Sequence, residues 1–328
     1  MGTDGFKLAG TDVEIPALGV GTWAWGDSKT WGMGSYDTAI TTDTIRDAWD
    51  ASIDNGATFF DTAEVYGDGE SERIIGGLIA GDPERAAKIQ LATKFMPTPW
   101  KLNVRTALLS SLRASLERLG LERVDLYQIH GPISLRGHGA LAEALAAAHQ
   151  EGLVRAVGVS NYSVGETKKF DAELRKRGLR LASNQIEFSL LRTAPEKSGL
   201  LATCRDLGVV PLAYSPIGQG RLTGKYTASN PPPSTRNFSA HPMEKVDAVV
   251  AELRRVGEAN GGKTPSQVAL NWIIAKGAVP IPGAKNQEQA EQNAGALGWL
   301  MSAEDVGALD AVALEGVRSL ANRFWQHG

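Results

Sequence analysis

Eight times between Ala17 and Ala296 a short apolar run is followed by a longer amphipathic segment, and no other feature restricts the fold so far. The runs are Ala17–Gly21, Thr58–Asp61, Ile89–Phe95, Val124–His130, Val154–Ser160, Leu181–Glu187, Val209–Tyr214 and Val279–Ile281. The segments that follow them are Thr41–Asn55, Glu70–Ala80, Asn103–Leu119, Ala140–Glu151, Val164–Arg177, Gly199–Leu207, Pro265–Ala275 and Glu288–Ala296. In the first of these Ile45, Ala48, Trp49 and Ile53 fall at helical spacing, and Gly56 stops the helix. Strands alternating with helices of this length predict βαβ units and a parallel sheet, and nearly continuous apolar runs suit strands buried on both faces. Eight such units close as an α/β fold, the (β/α)8 TIM barrel. A β-hairpin over Phe6–Ile15 precedes it, and two additional helices fall at about Met243–Glu258 and Ala303–Leu314. One barrel domain over residues 1–328 is expected, since α/β barrels exceed the usual domain length.

A doubly wound open sheet is the rival fold. Gly19-Val-Gly21-Thr-Trp-Ala24 fits a loose dinucleotide-binding pattern, which has meaning only where a helix opens. Trp25-Gly-Asp-Ser-Lys-Thr-Trp-Gly-Met-Gly follows instead and cannot open one, so the match is rejected.

Composition excludes several function classes. Hydrophobic residues at 42% and charged residues at 22% supply an ordinary core. The formal net charge of −3 gives no drive toward nucleic acid or anionic lipid. Cys204 is the one cysteine and cannot form an internal disulfide. Neither a signal-peptide pattern nor an apolar run long enough for a membrane helix is visible. A cytoplasmic protein with a small-molecule partner, existing as a monomer or weak homo-oligomer, is expected.

Barrels of this kind place catalytic groups at the C-terminal ends of their strands. The second strand ends at Asp61, with Tyr66 five residues later. The third carries Lys94 and the fourth ends on His130. Neighbouring strands lie about 4.8 Å apart, so these groups come within reach of one another. Side chains alternate in direction along a strand. If Lys94 points into the mouth, Ala92 lines the barrel and Thr93 faces the helices; if His130 points in, so does Gln128. A cation beside a phenol lowers its pKa, which would make Tyr66 a usable proton donor. Asp61 can hold Lys94 charged, and neutral His130 can donate a hydrogen bond to a carbonyl oxygen. Such a set protonates an oxyanion as hydride reaches carbon, and needs a cofactor to supply the hydride. His130 and His138 make no convincing metal site, and no metal is expected.

The chain resembles the aldo-keto reductases over nearly its whole length. The most specific segment is Gly56-Ala-Thr-Phe-Phe-Asp61-Thr-Ala-Glu-Val-Tyr66-Gly, continuing to Glu72 and Gly76. Leu119 through Val124-Asp-Leu-Tyr-Gln-Ile-His130 and Ile281-Pro-Gly-Ala-Lys285-Asn-Gln-Glu-Gln289-Ala-Glu-Gln-Asn293 also match. The resemblance implies that Asp61, Tyr66, Lys94 and His130 form a catalytic tetrad in an NADP-dependent oxidoreductase that reduces aldehydes or ketones. It implies NADPH extended over the barrel mouth. Ser160, Asn161 and Gln185 would hold a carboxamide and Tyr214 would stack on the nicotinamide. The small-residue loop from Ser215, Pro216, Ile217, Gly218 and Gly220 through Leu222, Gly224 and Lys225 can turn N–H groups toward a pyrophosphate. Lys285 and Gln289, near a helix start, suit a 2′-phosphate, with Asn293 on the adenine. Gly21, Thr22, Trp23, Asp61, Ile281, Gly283, Ala284 and Gln292 complete the implied contacts. Trp23, Trp25, Trp31, Met96 and Trp100 would wall an apolar substrate pocket over Tyr66 and His130.

Within the family the chain looks most like a bacterial and plastid branch with a pattern related to pyridoxal reductases, which makes pyridoxal a candidate substrate. Two other readings compete. A strand-end lysine can be a Schiff-base nucleophile if desolvated, which makes Lys94 a lyase candidate. The family also resembles potassium-channel β subunits, which keep fold and cofactor in a regulatory module.

Overall fold

The computed structural model describes residues 5–236, 238–317 and 324–328. Its strands are β1 (Phe6–Lys7), β2 (Glu14–Ile15), β3 (Gly19–Gly21), β4 (Phe59–Asp61), β5 (Gln90–Phe95), β6 (Val124–Ile129), β7 (Val154–Ser160), β8 (Leu181–Glu187), β9 (Val210–Tyr214) and β10 (Val279–Pro280). The first two pair antiparallel as the expected hairpin. The other eight form one sheet in sequence order, with parallel pairing throughout. The sheet curls until its ends meet: Gly21 bridges Gly283, and the Gly21 N–H donates to the Pro282 carbonyl at 2.9 Å. The open-sheet rival is thereby excluded.

A helix follows each strand of this sheet, and the two additional helices lie at Met243–Ala259 and Ala303–Val312. Most ends agree with the sequence reading to within two residues, because capping chemistry marks them. Thr41, Ser163 and Thr264 each begin a helix with a reciprocal capping box, and Asn103, Asn286 and Ser302 accept from the N–H three residues on. Short helical turns at Tyr66–Gly69, Pro83–Ala86, Ala194–Lys197 and Gly218–Thr223 occupy stretches that show no helical period. Two of them contain residues at positive φ, which no periodicity announces.

The barrel is a filled core. Phe59, Ala92, Leu126, Ala156, Ala182, Leu212 and Val279 form its interior cluster, and Leu8, Val13 and Ile15 of the hairpin join it. A second, larger cluster lies between strands and helices, where Trp49 packs on Phe60 with centroids 4.3 Å apart. No helix among the described residues is long and apolar enough to cross a membrane.

Closure demands glycine at β3. A Cβ on Gly19 would stand 2.7 Å from Phe59 Cδ1, 2.9 Å from the Phe59 carbonyl oxygen and 3.0 Å from Ile281 Cγ2. Gly77, in the exposed part of the helix Glu70–Gly81, has open space where its Cβ would go. Gly19→Ala is therefore expected to lower unfolding stability by about 2 kcal/mol. Gly77→Ala should raise it by about 0.5–1 kcal/mol. Urea titration of both variants checks the contrast.

Candidate active site

The mouth of the barrel collects polar side chains because several strands carry one at or next to their C-terminal end. Asp61 closes β4, Lys94 sits one residue inside the end of β5, and His130 follows β6 directly. Register aligns Lys94 with Gln128 and Ser160 with Gln185, so inward-facing groups fall at one level. Thr93 points outward to Glu72, as the alternation requires. Tyr66 opens the short turn that leads into the helix at Glu70. Gly67, Asp68 and Gly69 all have positive φ there, and a Cβ on Gly67 would lie 2.4 Å from the Gly26 carbonyl oxygen.

Lys94 Nζ donates to Asp61 Oδ2 at 2.6 Å, to the Thr62 carbonyl at 2.8 Å and to Tyr66 Oη at 3.1 Å. It has no solvent exposure, and Asp61 has almost none. The second carboxylate oxygen, Oδ1, accepts from Gln128 Nε2 at 3.1 Å and Gln185 Nε2 at 2.8 Å. One carboxylate thus gathers side chains from β5, β6 and β8. Tyr66 and His130 meet edge to face with centroids 5.7 Å apart.

The electrostatics fix three protonation states. Burial alone would lower the Lys94 pKa, but Asp61 and Tyr66 outweigh it, and the ammonium is held above its ordinary value of 10.5. Burial, and next Lys94, push the His130 imidazole well below 6.5, so it is neutral. Its Nδ1 is buried without a hydrogen-bond partner. Tyr66 departs from the expectation that Lys94 brings its pKa down. Burial, helped by Asp61, outweighs the pull of Lys94, and the phenol lies above its ordinary 10.0. Tyr66 therefore keeps its proton across the neutral range.

A cavity of about 640 Å³ opens over this set. Asp61, Tyr66 and His130 line it, together with Gly21, Trp23, Ser160, Asn161, Gln185 and Tyr214. So do Ser215, Pro216, Ile217, Gly220 and Lys225 from the loop after β9, and Ile281, Gly283, Lys285, Gln289, Gln292 and Asn293 from the segment after β10. Tyr214 Oη donates to Asn161 Oδ1 at 3.0 Å, and the Asn161 N–H donates to the Gln185 carbonyl at 2.8 Å. Asn161, Ser215 and Gln219 all line the cavity at positive φ, and backbone strain of this kind concentrates at functional sites. Gln219 lies within the Ser215–Gly220 loop, where its Nε2 is buried without a partner and its Oε1 accepts from the Phe238 N–H at 3.0 Å. Lys285 Nζ is paired with Asp37 at 2.9 Å, and Gln289 accepts from the Lys285 N–H.

Several expected contacts lie elsewhere. Thr22, Gly218, Leu222, Gly224 and Ala284 are not among the residues that line the cavity. Thr22 Oγ1 is taken up by the Asp61 carbonyl and Ser71, Leu222 is fully buried, and the Ala284 carbonyl accepts from Trp25 Nε1. That bond and packing on Phe60 draw Trp25 into the core, away from the cavity. Met96 does not reach the cavity, and Trp100 is 77% exposed. Trp23 and Trp31 do line the cavity, and Phe238 and Trp325 complete its aromatic wall. Trp23 stacks on Tyr66 at 6.2 Å and meets Trp31 and Phe238 edge-on at 5.8 and 5.9 Å. Trp325 lies 5.6 Å from His130. Phe238 and Trp325 escaped the sequence reading because neither belongs to a strand–helix unit. Val65, Gln219, Arg236 and Glu288 are among the other unforeseen lining residues. Among the described residues no three His, Cys, Asp or Glu side chains converge as a metal would need.

The neutral state of His130 makes a measurable demand. On unfolding, an imidazole freed to titrate near 6.5 takes up a proton that the buried ring refuses. Its contribution to stability is full above about 6.5 and is lost as pH falls toward the depressed native value. His138 and His241 are shifted the same way, less strongly. Wild-type protein should thus lose stability as pH falls below about 6.5, and His130→Phe should flatten that slope. Urea midpoints measured across this range provide the check.

The profile of the Aldo/keto reductase family matches residues 17–314. The chloroplastic pyridoxal reductase of Arabidopsis thaliana is 36% identical over 327 residues, covering 96% of this chain and 87% of that protein. Among solved structures, the glycerol dehydrogenase of Gluconobacter oxydans has a TM-score of 0.80 at 28% identity, covering 98% of this chain and 99% of that one. An aldo-keto reductase from Klebsiella pneumoniae, solved in complex with NADPH, has a TM-score of 0.73 at 25% identity, covering 97% and 98%.

Proposed function

The chain belongs to the aldo/keto reductase family, and from that premise we propose that it is an NADPH-dependent reductase of aldehydes and ketones, with Tyr66 as its proton donor. The observation that carries this reading is the contact of Tyr66 Oη with Lys94 Nζ at 3.1 Å, beside neutral His130 in one cavity. NADPH is bound by a family relative of the same fold. The residues here suit it: a cavity of about 640 Å³, the unpartnered Nε2 of Gln219 in a loop of small residues, and the cation Lys285.

When bound, NADPH supplies the hydride. The protein's share is orientation and protonation. His130 offers its one N–H to the carbonyl oxygen, and a neutral ring does so without giving the proton up. As negative charge builds on that oxygen, Tyr66 Oη transfers its proton to it. The phenolate left on Tyr66 is stabilised by the ammonium of Lys94, which Asp61 holds charged. The high pKa of the resting phenol suits this order of events, since the proton leaves only toward a stronger base. Asn161, Gln185 and Tyr214 would hold the nicotinamide end, and Lys285 the 2′-phosphate. The wall of Trp23, Trp31, Phe238 and Trp325 favours a flat aromatic aldehyde of no net charge, and pyridoxal, which gives the Arabidopsis relative its name, fits that description.

The lyase reading is disfavoured by the state of Lys94. A nucleophilic amine must be neutral and reachable, and this one is charged, paired and without exposure.

NADPH oxidation with 4-nitrobenzaldehyde and pyridoxal tests the proposal. Tyr66→Phe should lower kcat about a thousandfold and leave the NADPH Kd, read by fluorescence, within about twofold. Tight NADPH binding with no turnover in wild type would favour a regulatory module instead. Lys285→Ala should weaken NADPH about tenfold and leave NADH unchanged, since the lost contact is a charge-assisted one. Parallel titrations with the two dinucleotides show the difference.

A further inference from the structure

Glu187, the last residue of β8, is a buried carboxyl that takes no part in the proton transfer described above. Its partners come from three separate segments. Ser239 Oγ donates to Oε1 at 2.8 Å, Gln326 Nε2 donates to Oε2, and Arg192 Nε stands 3.7 Å from Oε2. Two of these partners are immediate chain neighbours of the aromatic residues that the strand–helix units do not supply. Ser239 follows Phe238, and Gln326 follows Trp325. Phe238 packs edge-on against Trp23 and Tyr214, with centroids 5.9 and 5.5 Å apart, and Trp325 lies over His130.

The hold on these segments is firm. Ser239 sits at φ 55, a conformation that persists only where its surroundings impose it. Gln326 Nε2 also donates to Tyr214 Oη at 3.0 Å, while the His327 N–H donates to the Asn161 carbonyl at 3.1 Å. Arg192 donates to the Gly328 carbonyl at 3.0 Å, so the partner of Glu187 grips the same segment. Burial lifts the Glu187 pKa, and Arg192, Ser239 and Gln326 pull it back.

We propose that Glu187 is a positioning residue for the substrate: by holding Ser239 and Gln326 it sets Phe238 and Trp325 as walls of the cavity, and so sets selectivity for flat aromatic over small aliphatic carbonyls. The inference rests on the reductase reading above. Glu187 touches neither the tetrad nor the reacting carbonyl, and acts through the two rings.

The test combines kinetics with a spectroscopic readout that needs no turnover. Steady-state constants for 4-nitrobenzaldehyde and propanal are compared in wild type, Glu187→Ala and Glu187→Gln. Fluorine NMR of cofactor-free protein containing 5-fluorotryptophan reports the Trp325 ring, assigned with Trp325→Phe. Glu187→Ala should raise the KM for the aromatic aldehyde about tenfold, as expected for a lost ring contact, and that for propanal less than about twofold. The Trp325 resonance should shift or broaden, and Glu187→Gln, which keeps shape and one acceptor, should recover most of both effects. On a background lacking both rings, Phe238→Ala with Trp325→Ala, Glu187→Ala should add little to the aromatic KM. An unchanged ratio of the two KM values overturns the inference, as does an unmoved Trp325 resonance. Absence of turnover in wild type would count against the reductase reading alone, and the resonance would still decide this one. Should Glu187→Ala fail to fold, Ser239→Ala and Gln326→Ala remove the same bonds from their far ends, with the same expected direction.

Discussion

A single ion pair organises the mouth of this barrel. Lys94 and Asp61 meet at 2.6 Å with essentially no water, and neither is tolerable there without the other. The pair in turn dictates what surrounds it. The free carboxylate oxygen takes amide donors from two further strands, and the ammonium spends its remaining donors on the Thr62 carbonyl and the Tyr66 hydroxyl. Through these bonds one charge pair fixes the relative positions of β4, β5, β6 and β8. Burial keeps the phenol protonated beside that cation and, with the charge of Lys94, keeps the imidazole neutral, which is the combination that proton transfer to an oxyanion requires.

How much of this could be read from the chain follows from how local each feature is. The strand ends were legible because period-two alternation and the order of the strands place Asp61, Lys94 and His130 side by side without further information. Helix ends were legible where Thr41, Asn103 or Thr264 supplies a cap. The direction of the Tyr66 shift was not, since it is a contest between burial and charge whose balance depends on depth. The tryptophans show the same limit. Trp23 and Trp25 are two residues apart, yet one faces the cavity and the other is drawn inward by a carbonyl that is 259 residues distant in sequence. Trp100 carries as much apolar surface as either and lies in solvent. A loop residue's destination is set by distant partners, and no periodicity records them.

The cavity divides along chemical lines. Toward Lys285 and the loop after β9 its lining is polar and glycine-rich, and toward Trp23 and Trp325 it is aromatic. The strand ends and the small-residue loop build the first part, within the repeating units of the fold. The second part depends on residues from outside those units, so the wall facing a substrate can change without disturbing the frame that holds the charges.

Closure of the barrel has a consequence for how the protein comes into being. The first sheet strand can complete its hydrogen bonds only with residues 282 and 283. A chain synthesised as far as β9 already contains Asp61, Tyr66, Lys94 and His130, with the ion pair available to form. It nevertheless has an open seam at β3, an exposed sheet edge, and no wall on the side where Lys285 belongs. Contacts this distant in sequence form slowly, and unpaired edges invite association with other chains. The order of synthesis therefore assembles the chemical centre early and seals it late, leaving the nascent protein vulnerable to aggregation until its last strand arrives.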